Sequence, residues 1–304
     1  MAIPFVKELD FAYGQAAELS PRVRRIVARN PSAFTFHGTG TYIVGRGKDV
    51  AVIDPGPDDE AHVRALLDAL DGETVTHILI THTHRDHSPA AALLKRITGA
   101  PTYGFGPHPV PKGGLAVEEG GDHDFTPDHV LSDGDTVSGA GWTLTALHTP
   151  GHISNHLCFA LKEEQALFSG DHVMGWSTTV ISPPDGSMTE YYASLRRLLP
   201  REERRFYPTH GAPVDEGTTG VQPQNFVQAL LQHREAREAQ IVDCLRRNGP
   251  QSIPQMVAAM YADVPVYLHP AAARSVLAHL IHMAAEGRVK ADGQVSETAV
   301  YHLP

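Results

Sequence analysis

Residues 76–89 read THILITHTHRDHSP, a short apolar run that stops at a cluster of metal-capable side chains just ahead of a serine and a proline. Thr76 to Thr81 has the length and composition of a buried strand. Ser88 and Pro89 predict the N-cap and first-turn proline of a helix running to about Thr98, with Gly99 closing it. Between strand and helix stand His82, His84, Asp86 and His87, nitrogen or oxygen ligands packed into a six-residue stretch. Alternate residues of an extended segment point the same way, so His82 and His84 can meet one metal ion while Asp86 and His87 turn toward a second. Four such groups are costly to bury unpaired, which favours a metal centre over plain packing. Arg85, between them, is expected to point outward.

Three further segments repeat the plan of strand, small-residue turn, ligand-capable side chain: TLTALHTPGH ending at His152, ALFSGD ending at Asp171, and RRFYPTHG carrying His210. All would emerge on one rim of a sheet, where binding groups collect on a rigid scaffold. Around them, AFTFHGTGTYIVG and DVAVIDPG read as hairpin-connected strands, Pro57 to Leu70 and Thr189 to Leu199 as helices, and NHLCFALK as a strand. The Gly- and Pro-rich stretch from Gly104 to His129 reads as loop. The alternation is that of sheets covered by helices. Gly217 to Pro223 reads as a linker. Beyond it come helices at Asn225–Arg247, Ile253–Tyr261 and Pro270–Glu286, then two β-prone runs, RVKA and TAVYHL, about a Gly293 turn. That is a winged-helix arrangement, so two domains are expected, 1–221 and 222–304.

The 304 residues are 41% apolar and 20% charged, which excludes a disordered, collagenous or coiled-coil chain. The net charge of −10 opposes unaided binding to a phosphate backbone. The segment after residue 221 balances seven basic against seven acidic residues and is neutral. Nineteen histidines are many for an acidic protein, and histidine is the commonest metal ligand. No apolar run is long enough to span a bilayer, and no export signal is read at the start. Cys158 and Cys244 suit buried thiols in a reducing compartment, so a cytoplasmic location is expected.

In order and spacing, DPG at Asp54, THTHRDH, TPGH, SGD and the final HG resemble the five motifs of the metallo-β-lactamase-fold hydrolases. With SGDHVMGW and the winged-helix-like tail, the chain is similar to their β-lactamase-like protein 2 branch, which includes a single-strand endoribonuclease. The resemblance implies an αββα sandwich with a metal held by His82, His84 and His152, a second by Asp86, His87 and His210, and Asp171 bridging. It departs from the family in Thr209, which stands where the common motif has Gly, and in lacking the cysteine ligand of true β-lactamases. A nitrogen-rich set without thiolate suits zinc, although iron and manganese also accept it. The expected chemistry is hydrolysis by a metal-bridging hydroxide, with Asp86 orienting it and passing a proton to the leaving group.

Asp54 is expected to accept hydrogen bonds from the metal loop or a ligand histidine, or else to be a plain turn residue. His156, four residues after His152, faces the cleft as donor or substrate contact, or is structural; His172 has the same alternatives. The substrate is an ester, thioester, lactone or phosphodiester, most simply of a small molecule. A glyoxalase II-like thioesterase and a single-strand endoribonuclease are the alternatives within hydrolysis. From another class, the tail would act as a nucleic-acid-binding regulator, against which its neutral charge speaks. The tail more naturally covers the cleft or makes a homodimer contact. No membrane partner is expected.

Overall fold

The computed structural model describes residues 2–109, 120–262, 265–266 and 269–304. Two sheets form its centre. The first contains β1 (Ala17–Glu18), β2 (Val23–Val27), β3 (Gly40–Arg46), β4 (Asp49–Ile53), β5 (Val75–Leu79), β6 (Thr102–Gly104) and β7 (His129–Val130), in that spatial order. The second runs β12 (Arg205–Pro208), β11 (Ala166–Gly170), β10 (Leu157–Leu161), β9 (Trp142–His148) and β8 (Thr136–Gly139).

The strands are apolar on both faces because both faces are covered. In β3 and β4, Tyr42, Val44, Ala51 and Ile53 point between the sheets, where they meet Trp142, Leu144, Phe159 and Phe168. The alternate residues Ile43, Val50 and Val52 face helices α1 (Glu60–Leu70) and α2 (Ala90–Thr98). On the other side, Cys158, Ala160 and Leu167 face α3 (Met188–Leu198) and the first half of α5 (Pro223–Asn248). The layers are therefore α, β, β, α. Truncating a buried aromatic such as Phe159 to alanine costs about 3–5 kcal/mol in a core of this kind.

Helix α5 is shared. Phe226, Val227, Leu230 and Leu231 pack on the sandwich. Ile241, Cys244 and Leu245 belong to a separate core with α6 (Ile253–Met260), α7 (His269–Ala285) and Tyr301. There β13 (Gln251–Ser252), β15 (Val300–His302) and β14 (Lys290–Ala291) form a three-stranded wing, one strand more than the expected hairpin. Among the described residues no helix is long and apolar enough to cross a membrane.

Several elements differ from the sequence reading. The strand expected from Ala33 starts at Gly40, because the Ser32 hydroxyl accepts from the Phe34 and Thr35 amides and closes a turn instead. Ser88 does not cap α2. Its hydroxyl donates to Asp122 at 2.6 Å, and the helix begins after Pro89 without a side-chain cap. The segment read as a linker, Gly217 to Pro223, overlaps the helical turn α4 (Glu216–Thr219), capped by Asp215, and Pro223 then opens α5 directly. Within the expected loop, Gly104 ends β6 and His129 begins β7, while residues 110–119 lie outside those described. Strands β1, β2 and β8 add to the expected strands.

Candidate metal centre

β4 and β5 are parallel, as are β11 and β12, and β9 and β11 both run antiparallel to β10. The C-terminal ends of the strands in each sheet that carry polar groups thus share an edge. Asp54 follows β4, His82 to His87 follow β5, His152 follows β9, Asp171 follows β11 and His210 follows β12. Two turns need glycine. Gly170 has φ +51°, and a Cβ there would lie 2.5 Å from His156 Nε2; Gly151 has φ +140°, and a Cβ would lie 2.5 Å from the Tyr191 backbone.

These ends bring seven side chains together. The ligand atoms of His82, His84 and His152 lie within 4.8 Å of one another, as do those of His82, His87 and Asp171, and those of Asp86, His87 and His210. Asp171 sits among the groups: its Oδ2 is 3.5 Å from His210 Nε2, 3.7 Å from His87 Nε2 and 3.9 Å from His152 Nε2. In the three-imidazole group, His82 Nε2 and His152 Nε2 approach His84 Nδ1 at 2.9 and 3.1 Å. A single proton on that nitrogen can serve one neighbour, so the crowding suits lone pairs converging on a cation. His87 Nε2 and Asp171 Oδ1 are buried without a hydrogen-bond partner. A recess of about 20 Å³ opens over the ligands between Phe34, Met174 and Val180, room for a water molecule. The His and Asp clusters are suited to divalent metal ions.

Electrostatics agree with that fit. Burial, reinforced by neighbouring imidazoles, holds His82 and His84 well below the ordinary histidine value, so both present neutral lone pairs. Burial also opposes charge on His87 and His210, but the carboxylates of Asp86 and Asp171 outweigh it, raising His87 well above its usual value and His210 to about 10. Burial favours the protonated forms of Asp86 and Asp171, yet His87 and His210 hold both carboxyls far below their usual range. Two protons thus sit where the carboxylates call for positive charge, and a cation would supply that charge while releasing them.

The surroundings orient these side chains through their far atoms. Asp54, at φ +48°, accepts from the Thr81 amide and hydroxyl, both at 2.7 Å, from His87 Nδ1 at 2.9 Å, and from Thr209 Oγ1 at 3.1 Å. Thr209, the departure from the family motif, thus ties the last ligand loop to the first. His210 Nδ1 donates to the Gly38 carbonyl and His152 Nδ1 to the Val180 carbonyl. His156 does not reach the cleft: it is fully buried, its Nε2 accepts from the Asp171 amide at 3.1 Å, and its Nδ1 meets Thr149 Oγ1. His172 is likewise enclosed, and burial pushes it down to about 3. Trp176 stacks on Phe36, ring centroids 4.7 Å apart. Arg85 is exposed. Sequence reasoning missed Arg25, which is buried and donates to the Gly211 carbonyl beside His210, and Thr81. Nothing local in VRRIV points to a partner 186 positions away.

Residues 35–210 match the metallo-beta-lactamase superfamily, and residues 252–298 match the beta-lactamase associated winged helix domain. An atrochrysone carboxyl ACP thioesterase of Cryptosporiopsis sp. is 31% identical over 81% of this chain and 74% of its own. The beta-lactamase-like protein 2 homolog of Drosophila melanogaster is 30% identical over 94% and 96%. A beta-lactamase domain protein from Burkholderia ambifaria superposes with a TM-score of 0.80 at 20% identity, covering 98% of this chain and 96% of that one. The chain belongs to the metallo-beta-lactamase superfamily, in its winged-helix-bearing, β-lactamase-like protein 2 branch.

Proposed function

We propose that the protein is a two-metal hydrolase of acyl thioesters, with His82, His84 and His152 holding one cation, Asp86, His87 and His210 the other, and Asp171 shared. The observation that carries this reading is the position of Asp171 Oδ2, within 3.5 to 3.9 Å of imidazole nitrogens from both groups. Zinc suits the nitrogen-rich set, and iron or manganese fits it as well. Bound there, two cations would lower the pKa of a water in the recess toward neutrality and polarise the substrate carbonyl. Asp86 lines that recess and takes the role of orienting the water and accepting its proton. Asp54, Thr81 and Thr209 keep His87 in the tautomer whose Nε2 lone pair faces the cluster.

Thioesters are favoured over the other electrophiles for two reasons. The 31%-identical relative is named an ACP thioesterase. A departing thiolate, with a parent pKa of about 8.5, needs no proton donor, and the two additional histidines near the site, His156 and His172, are buried away from the recess. Nucleic acid is disfavoured by the charge of −10 and by the neutral balance of charge after residue 221. The test is metal quantification followed by a panel of acyl thioesters, lactones, a phosphodiester and single-stranded RNA. Metal-dependent hydrolysis of thioesters is expected. Metal-loaded protein that cleaves only the phosphodiester or RNA would replace the thioester reading, and protein that takes up no metal would end the reading altogether.

A further inference from the structure

Helix α5, which leads into the winged-helix region, reaches back to the metal centre through Arg234. This side chain is 4% exposed, its Nη2 donates to the Thr179 carbonyl, and its guanidinium lies over the Tyr191 ring, 5.5 Å from the centroid. The Thr179 hydroxyl donates to the carbonyls of Asp171 and His172 at 2.8 and 3.0 Å. The next carbonyl, that of Val180, receives His152 Nδ1 at 2.7 Å. Residues 179 and 180 therefore touch two of the seven ligand positions, one of them the aspartate between the groups. Their backbone is held from behind by a cation on α5, outside the two sheets.

Stability does not account for this placement. A buried guanidinium is expensive unless charge-paired. Among the described residues no carboxylate forms an ion pair with Arg234, and its Nε has no hydrogen-bond partner. An apolar side chain of similar size would fill the space at lower cost. One turn further along α5, Glu238 meets Tyr192 at 3.0 Å, His279 at 3.3 Å and Arg288, and so fastens α7 to α3 without touching Thr179. The two contacts can be separated by mutation.

We propose that Arg234 is a positioning residue of the metal centre: its hold on the Thr179 carbonyl fixes the Val180 carbonyl on His152 and the Thr179 hydroxyl on the Asp171 turn, so cation affinity depends on helix α5. The proposal rests on the reading that these residues bind cations. Groups that orient metal ligands through their outer atoms change affinity by about 10–100-fold when removed.

The test uses the full chain, stripped with chelator and titrated with zinc against a chromophoric competitor. Cobalt is titrated in parallel for its ligand-field absorption. Arg234→Met and Thr179→Val are expected to weaken zinc binding about 10-fold or more and to shift the cobalt spectrum. Arg234→Lys, whose ammonium can still donate to the carbonyl, is expected to recover part of the loss. Glu238→Gln is expected to unfold at lower denaturant yet bind zinc as the wild type does. Wild-type affinity and spectrum in Arg234→Met would overturn the proposal, as would an equal loss in Glu238→Gln, which would trace the effect to domain docking. Should Arg234→Met fail to fold, Thr179→Val decides: wild-type binding there would equally overturn it. Wild-type protein that takes up no cation would overturn the metal reading beneath it.

Discussion

Asp54→Asn isolates the outer support of the His87 ligand, since it keeps the shape of the side chain and removes one acceptor. Oδ1 accepts the Thr81 amide, while Oδ2 faces the Thr81 hydroxyl, His87 Nδ1 and the Thr209 hydroxyl. An asparagine must leave its oxygen on the amide, placing its NH₂ among the other three. The two hydroxyls can rotate to accept. The imidazole can accept only by moving its proton to Nε2, which removes the lone pair a cation needs. The expected cost is about 10–100-fold in affinity, equivalent to about 1.4–2.7 kcal/mol. The loss of charge-assisted bonds also lowers the stability of chelated protein by about 1.5–3 kcal/mol. Zinc competition and urea unfolding in chelator measure the two separately. Wild-type zinc affinity in Asp54→Asn, at any stability, would refute the argument that Asp54 sets the His87 tautomer.

Asp171→Ala should halve the metal content and lower thioester turnover by about 10²–10³-fold, the scale for losing one electrostatic contact at the reacting centre; full content with full rate would remove Asp171 from between the cations. Gly170→Ala should cost about 1–3 kcal/mol in backbone strain at φ +51° and, by crowding His156, reduce metal content, both readable by unfolding and elemental analysis. His62, pushed down to about 4 by burial, takes up its proton in the folded state only well below the unfolded value near 6.5. Between those values the unfolded chain binds more protons, so stability is complete above about 6.5 and is lost as pH falls toward 4. His62→Gln should flatten that part of the stability profile; an unchanged acid limb would show that His62 does not drive it.

What the amino-acid order determined alone is the inventory and its sites of emergence. Strands such as ILI before His82 and ALF before Asp171 are apolar on both faces, which demands helices on either side and sends each chain end to a rim. The spacing of THTHRDH, TPGH, SGD and HG marks which rim residues offer metal-capable side chains, and three helices before a wing announce the second core. Tertiary structure alone decided which outer atoms hold those side chains. The Asp54 carboxylate joins Thr81 to Thr209, Arg25 reaches Gly211, and Arg234 reaches Thr179 across 55 positions. The same holds for His156, whose place behind Asp171 follows from the Gly170 turn and not from its nearness to His152. The reason is physical: burial of apolar faces leaves a periodic trace along the chain, whereas a hydroxyl, carbonyl or guanidinium acts through distances that exist only once the two sheets have stacked.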